Sequence, residues 1–235
     1  MRLPILIVFY PAIMTWQDQP MAAPFSLLQD PEISMLVERL RDHCSAVWQK
    51  SLREAPDALL DGLLGGVMAR ALGAAGADEG TVWLADESAE CLVPVWNNGP
   101  DAERFVGRFK LPSAEGITGW VFTGGMATCE TEVCFHQKQH REMDRRLGVL
   151  TWAMLAVPLR AAGEMRGVIT AVRLIRLADL PGVSIAPQSS GDFPEGFEPP
   201  PSFSVGDLAA MESSAQVLGR LLDHRLHCWT LGIEE

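Results

Sequence analysis

Two apolar segments joined by a short turn constrain the fold of this chain more than any other feature. Residues 151–159 and 168–174 are rich in branched and apolar side chains, as paired strands are. Between them, residues 162–164 read Ala-Gly-Glu, and Gly163 permits a tight bend. The sequence therefore predicts an antiparallel hairpin, around which an antiparallel sheet is expected.

Further strands are predicted upstream of this hairpin. Residues 81–85 and 91–96 are short apolar segments separated by a polar turn, and residues 105–111 are expected to form a third strand. Residues 126–131 indicate a weaker strand. The charged segment 136–147 is predicted to be a helix.

Amphipathic helices are predicted at both ends of the sheet-forming region. Asp30 and Pro31 are suitable first residues for an N-terminal helix that spans residues 31–55. Its apolar stripe recurs at three- and four-residue steps: Ile33, Leu36, Leu40, Cys44 and Val47. A second helix is expected to begin near Pro56, and a last one covers residues 205–229 with spacing close to a coiled-coil seam. The predicted fold class is α+β, an antiparallel sheet with segregated helices.

Two segments lie outside this pattern. Residues 178–202 are rich in Pro, Gly and Ser and are expected to be a long loop insertion. Residues 1–30 are expected to be either an extension, disordered or not, or the result of a start placed upstream of Met21. A secretory signal peptide is the minority alternative, because the apolar run is short and is broken by Pro11.

Charge and cysteine content exclude some classes of function. The 235 residues carry a net charge of −11, so direct binding to the phosphates of nucleic acids is disfavoured. The apolar N-terminal run is too short to cross a bilayer. Five cysteines are an odd number for a disulfide framework, which favours a reducing compartment and a cytoplasmic location.

Three local motifs, in this order and in this strand context, resemble the GAF family of small-molecule sensor domains. Residues 116–125 read GITGWVFTGG, similar to the family's G-I-x-G-W-V helix. Residues 153–159 and 163–169 read AMLAVPL and GEMRGVI, which resemble its S-x-L-x-V-P-L … G-x-x-x-G-V-L hairpin. Residues 203–208, FSVGDL, open the last helix as in the family's F-t-x-x-D-x-x-L. The resemblance covers about residues 56–227 and implies a GAF-like antiparallel sheet, with a short pocket helix on one face and the terminal helices on the other.

The resemblance also implies a ligand pocket beneath the short helix. Its expected lining, given as a set, is Phe109, Ile117, Trp120, Val121, Cys129, Glu130, Cys134, Phe135, Thr151 and Met154. Core packing is the competing interpretation for most of these side chains. The cyclic-nucleotide signature of some members is incomplete here, because Leu208 stands where they have Glu. The bilin-binding Cys-His pair is also interrupted, since Phe135 separates Cys134 from His136.

Cysteine and histidine chemistry offers two alternatives. Some relatives reduce free methionine sulfoxide with pocket thiols, and Cys91, Cys129 and Cys134 allow that hypothesis, although their spacing differs from the pattern of those relatives. On a helix, His136 and His140 would lie one turn apart, as metal ligands often do, with Cys134 as a third candidate. A solvated helix is the competing interpretation, and no cofactor can be named from the sequence.

The functional expectation is a sensory or regulatory domain that is not an enzyme. A small molecule or a protein partner would bias the packing of helices 31–50 and 205–229, which are expected to pair in a homodimer. The motifs predict no catalytic or other output domain in cis. The alternatives are a thiol-dependent reductase and a ligand-free interaction module whose pocket is filled by side chains such as Trp120 and Phe135.

Overall fold

The computed structural model describes residues 31–54, 60, 62–180 and 187–233, which belong to two compact units, residues 1–42 and residues 43–235. The described part of the first unit is the beginning of the helix α1, Pro31–Glu54. It carries the exposed side chains of Met35, Leu36 and Leu40. No helix in the described ranges is long and apolar enough to cross a membrane.

The second unit combines the end of α1 with further helices and a sheet. Its other helices are α2 (Gly62–Ala75), α3 (Ala102–Phe105), α4 (Gly116–Gly124), α5 (Glu142–Leu147) and α6 (Val205–Thr230). Its strands are β1 (Glu79–Ala85), β2 (Cys91–Asn97), β3 (Leu111–Pro112), β4 (Thr128–Thr131), β5 (Val149–Ala161) and β6 (Glu164–Arg176).

These strands form one antiparallel sheet in the order β3-β2-β1-β6-β5-β4. The β5–β6 hairpin closes at Ala161 and Glu164, and its turn residues Ala162 and Gly163 both have positive φ. The predicted α+β class with one antiparallel sheet is confirmed.

One side of the sheet, here called the helix face, packs against α2 and α6. Leu84, Leu155 and Ile169 point into this core and are fully buried. A Cβ atom at Gly219 would lie 2.1 Å from the carbonyl oxygen of Arg160, so only glycine lets α6 approach β5 this closely. The core of the second unit therefore lies mainly on this face.

A β-bulge in β5 changes which residues share a face. Thr151 pairs with Leu174 of β6, and Ala153 pairs with the next residue, Arg173, so Trp152 is an extra residue in β5. Side chains on a regular strand alternate, and residues three apart would point to opposite faces. Because of the bulge, Thr151 and Met154 lie on the same side of the sheet.

Some sequence predictions of secondary structure are wrong. Residues 105–111 are not a strand, because Phe105 ends α3 and a turn follows, with only Leu111 and Pro112 in the sheet. The helix predicted over 136–147 begins only at Glu142, and turns precede it. The start near Pro56 and the N-terminal segment 1–30 lie outside the described residues.

The segment before α6 is held on the helix face by aromatic side chains. Phe193 lies edge-on to Trp152 at 5.8 Å between ring centroids and stacks on Phe197 at 4.9 Å. Ser204 then caps α6, because its hydroxyl oxygen accepts a hydrogen bond from the Asp207 amide while the Asp207 carboxylate accepts one from the Ser204 amide. The described part of the predicted loop is thus anchored at its C-terminal end.

Candidate functional site

A cavity of about 80 Å³ lies on the other side of the sheet, here called the cavity face. Its floor is formed by alternate residues of the strands, and its roof by α4 and by residues around α3 and α5. The floor residues are Glu79, Thr81, Trp83, Asn97, Leu111, Val149, Thr151, Met154, Thr170, Val172 and Leu174. The roof residues are Phe105, Phe109, Gly116, Ile117, Thr118, Gln139, His140, Met143, Asp144 and Leu147.

The floor is polar where two strands meet at its centre. The indole Nε1 of Trp83 on β1 donates a hydrogen bond to Oγ1 of Thr170 on β6, at 3.1 Å. Beside it, Nδ2 of Asn97 on β2 donates to Oγ1 of Thr81, at 2.9 Å. These bonds fix the orientation of the side chains, so the floor presents a preorganised set of polar groups.

Aromatic rings line the roof. The ring of Phe109 lies edge-on to the indole of Trp83 at 6.2 Å and to the imidazole of His140 at 6.1 Å. The Nε2 atom of His140 in turn lies 3.6 Å from a carboxylate oxygen of Glu115, just before α4. These contacts therefore link the sheet, the turn after α3 and the start of α4, and the cavity lies between them.

Asp144 is a buried carboxyl group at one side of the cavity. It comes from α5 and accepts hydrogen bonds from the amide of Thr151, at 3.1 Å, and from its hydroxyl, at 2.9 Å. Burial raises the pKa of Asp144, and the bonds from Thr151 and Gln139 and the charge of Arg141 oppose that rise. Gly148 makes the chain reversal after α5 possible, because it ends the helix with a φ of 67°.

Glu79 is a second buried carboxyl group, at the start of β1. Burial raises its pKa, while the nearby charge of Arg176 and a hydrogen bond with the Asn97 side chain lower it. A Cβ atom at Gly99 would lie 2.3 Å from this carboxyl group. A side chain at this position would therefore displace the carboxyl group of Glu79.

Four of the residues predicted to line a pocket surround this cavity: Phe109, Ile117, Thr151 and Met154. Val121 lies beside them, fully buried between α4 and the sheet, and does not border the space. Ligand contact by any of these residues stays a prediction.

The structure places two other predicted residues outside the cavity. Trp120 is on the outer side of α4, with 38% of its surface exposed and Nζ of Lys138 4.7 Å from its ring centroid. Glu130 on the edge strand β4 pairs with Met154 but does not border the space.

Three more predicted residues pack toward the helix-face core. Cys134 is buried in that core, and Cys129 and Phe135 pack against it. Burial raises the pKa of the Cys134 thiol to about 11, and burial together with Glu130 also raises that of Cys129. Thiols of this kind are poor nucleophiles at neutral pH.

The helical spacing assumed for a metal site is wrong, because His136 and His140 lie in turns before α5. His140 borders the cavity, whereas Cys134 packs on the other face. In the ranges that the structure describes, no group of three or more His, Cys, Asp or Glu residues is arranged to hold a metal ion.

Sequence reasoning missed most of the polar part of the site apart from Thr151. Glu79, Thr81 and Trp83 alternate along β1, and that alternation could have identified them as one face of a strand. Asp144 carried no such signal, and His140 was predicted only as a candidate metal ligand, on a helix that does not form around it. The site combines an aromatic wall, hydroxyl groups and two buried carboxyl groups, which suits reversible binding of a small molecule.

Comparisons with known proteins agree with this architecture. The model of the GAF domain family matches residues 60–187. The GAF domain from a phosphoenolpyruvate-protein phosphotransferase of Coxiella burnetii superposes with a TM-score of 0.53 at 18% identity, covering 87% of this chain and 100% of that chain. The GAF domain of the Acinetobacter phosphoenolpyruvate-protein phosphotransferase gives a TM-score of 0.51 at 17% identity, covering 83% and 97%.

The free methionine-R-sulfoxide reductase from Neisseria meningitidis, solved with its substrate, gives a TM-score of 0.49 at 18% identity, covering 83% of this chain and 94% of that chain. No curated protein matches the sequence. At these identities the structural similarities concern the fold alone.

Proposed function

The chain belongs to the GAF domain family, and on that premise we propose that it is a sensory or regulatory domain whose cavity binds a small molecule. The observation that carries this proposal is the roofed space on the cavity face, bordered by the buried polar groups of Glu79, Asp144 and Thr170. A few fixed polar groups that converge on a roofed, partly aromatic cavity are typical of small-molecule sites, so this arrangement favours a ligand there.

The same geometry argues against a ligand-free module with a filled pocket. The side chains expected to fill it lie elsewhere: Trp120 is on the outer side of α4, and Phe135 packs with Trp152 toward the helix face. A thiol-dependent reductase has less support than a sensor, because the raised pKa of Cys134 leaves little thiolate. Our proposal is therefore a binding domain, not an enzyme.

A signal could pass from the cavity to α6 through the bulge in β5. Thr151 holds Asp144 on the cavity face, and the next residue, Trp152, contacts Phe193 on the helix face. The segment that contains Phe193 leads into α6 at Ser204. A ligand that binds one arrangement of these contacts better than another would shift the population of that arrangement.

We further propose that the signal is read in a homodimer formed through α1 and α6. Large apolar side chains are exposed on both helices: Leu36 is 57% exposed, Leu40 46% and Val217 48%. Pairing with a second copy would remove this apolar surface from water.

The ligand proposal is tested by filling the cavity. The purified chain would be analysed by native mass spectrometry for a retained metabolite, and by thermal shift with each metabolite found. Val172→Phe places a ring in the cavity, and we expect it to abolish both the retained mass and the shift. Val205→Phe, at a position that is 82% exposed at the start of α6, is the matched control and should retain both. Equal ligand binding by the two variants would contradict the proposal.

The dimer proposal is tested by light scattering coupled to size exclusion. Leu36→Glu with Leu40→Glu should convert a dimer to a monomer, because four charges would be buried at the interface of two copies. Ser34→Glu adds a negative charge and Arg41→Glu reverses a positive one, both on the polar part of the same helix. This double variant should leave the dimer intact. A wild-type chain that is monomeric throughout the concentration range would contradict pairing.

A further inference from the structure

The charges that border the cavity are unbalanced. Among the described residues that line it, the ionisable ones are Glu79, Asp144 and His140, and none is Lys or Arg. Both carboxyl groups belong to residues with less than a tenth of their surface exposed. An anion in this space would meet two carboxylates without a lining cation, and its binding is therefore disfavoured.

The walls suit an organic cation better than a metal ion. Ca²⁺ and Mg²⁺ need about six oxygen ligands, and no cluster of potential ligands of that kind occurs in the described chain. An ammonium group instead needs a few acceptors and gains from the faces of aromatic rings. Thr81 and Thr170 supply hydroxyl oxygens, and Trp83 supplies a ring beside them. The Phe109 ring already has the guanidinium carbon of Arg146 5.6 Å from its centroid.

We propose, on the basis of the proposed function, that the ligand of this cavity is a small protonated amine, attracted by the carboxyl groups of Glu79 and Asp144 that line the space and bound beside its aromatic residues. The cavity of about 80 Å³ has room for a small molecule, since a single water molecule needs roughly 10–15 Å³. Arg176 and Arg141 lie near enough to lower the pKa of Glu79 and Asp144 respectively, but neither lines the space. The ionisable residues that line the cavity are therefore mainly carboxyl groups.

The test uses three probes of nearly equal size on the full chain. Ethanolamine is cationic at neutral pH, ethylene glycol is neutral, and glycolate is anionic. Isothermal titration calorimetry would measure the affinity of each probe. We expect ethanolamine to bind at least about tenfold more tightly than the other two, because a hydrogen bond between charged groups is stronger than one between neutral groups.

Substitutions identify the carboxyl groups responsible. Glu79→Gln and Asp144→Asn should each weaken ethanolamine binding by about tenfold, whereas Glu103→Gln, on the exposed side of α3, should not change it. If Asp144→Asn fails to fold, because Asp144 also holds Thr151, Glu79→Gln still decides. Unchanged ethanolamine affinity in Glu79→Gln and in every folded Asp144→Asn sample would overturn the proposal.

The other outcomes separate this inference from the proposed function. If glycolate or ethylene glycol binds as tightly as ethanolamine, and Val172→Phe removes that binding, the preference for a cation is wrong while the cavity remains a ligand site. If none of the three probes binds, the amine proposal is overturned, and the metabolite experiment with Val172→Phe still judges the cavity.

Discussion

The two faces of this sheet are built on opposite principles. The helix face is closed by α2 and α6 over fully buried apolar side chains such as Leu155 and Ile169. The cavity face buries Thr170, Glu79 and Asp144 around an open space. A dense apolar core on one side supplies stability, which lets the other side carry polar groups that would weaken a core.

Neighbouring residues of β5 allow a direct comparison of the two faces. Leu155 points into the helix face and is fully buried, whereas Met154 points to the cavity face and borders the open space. Both side chains are long and apolar, so their removal isolates the effect of the surroundings.

The largest effect is expected for Leu155→Ala. The close-packed helix face cannot collapse around the missing atoms, so the free energy of unfolding should fall by about 4 kcal/mol. Urea denaturation monitored by circular dichroism would measure it. A loss below about 1 kcal/mol would show that this face is loosely packed.

Met154→Ala should cost less, about 2 kcal/mol, because one side of Met154 already faces empty space and fewer contacts are lost. The same urea experiment gives the value. A loss equal to that of Leu155→Ala would remove the distinction between the faces.

Ser204→Ala examines whether α6 depends on its cap as well as on its packing. The variant loses one side of the reciprocal Ser204–Asp207 bonding, and the free energy of unfolding should fall by about 1 kcal/mol. Ser213→Ala removes a hydroxyl from an exposed position within the same helix and should have a smaller effect. A larger loss in the control would contradict this view of the cap.

The smallest change in the free energy of unfolding is expected on acidification. Its sign differs between the cavity and the cap of α6. The folded state raises the pKa of Asp144 above 3.8, so it binds the proton more tightly than the unfolded chain. Stability from this group therefore rises as pH falls through the folded-state pKa toward 3.8. Denaturation between pH 7 and about 4 should show a larger rise in wild type than in Asp144→Asn, in which Glu79 still contributes a rise of the same sign.

Asp207, in the exposed cap of α6, should respond in the opposite direction. Hydrogen bonds from Ser204 lower its pKa below 3.8. Its contribution is therefore present above 3.8 and is lost as pH falls through the folded-state value. In Asp207→Asn that acid-dependent loss should disappear, and an unchanged acid profile would contradict the assignment.

Continuous apolar segments bounded by turn residues made most of the sheet predictable. The hairpin of β5 and β6 and the strands β1 and β2 follow from apolar segments and turn residues. The segment 105–111 was misassigned because its apolar residues suit a strand, yet Phe105 and Phe109 are four apart, and Phe109 donates its amide hydrogen to the carbonyl of Phe105 in a helical turn.

The site was less predictable, because it depends on which face each residue occupies. Cys129 lies opposite Leu155 and packs toward the helix face, whereas Glu130 lies opposite Met154. A shift of one residue along β4 changes the face to which a side chain points. Nothing in the sequence around Cys129 and Glu130 fixes that register. Asp144 is held at the site by its bonds to Thr151, which connect residues of two different elements.

The extra residue at Trp152 determines which face of the sheet the preceding residues of β5 occupy. A chain with this position deleted would keep its β5–β6 hairpin and turn intact, because the pairing from Ala153 onward is unaffected. Upstream of the deletion every side chain would change sides, and the Asp144–Thr151 contact would be lost from the cavity. A single-codon deletion there would therefore remove Thr151 from the cavity lining together with the buried indole of Trp152.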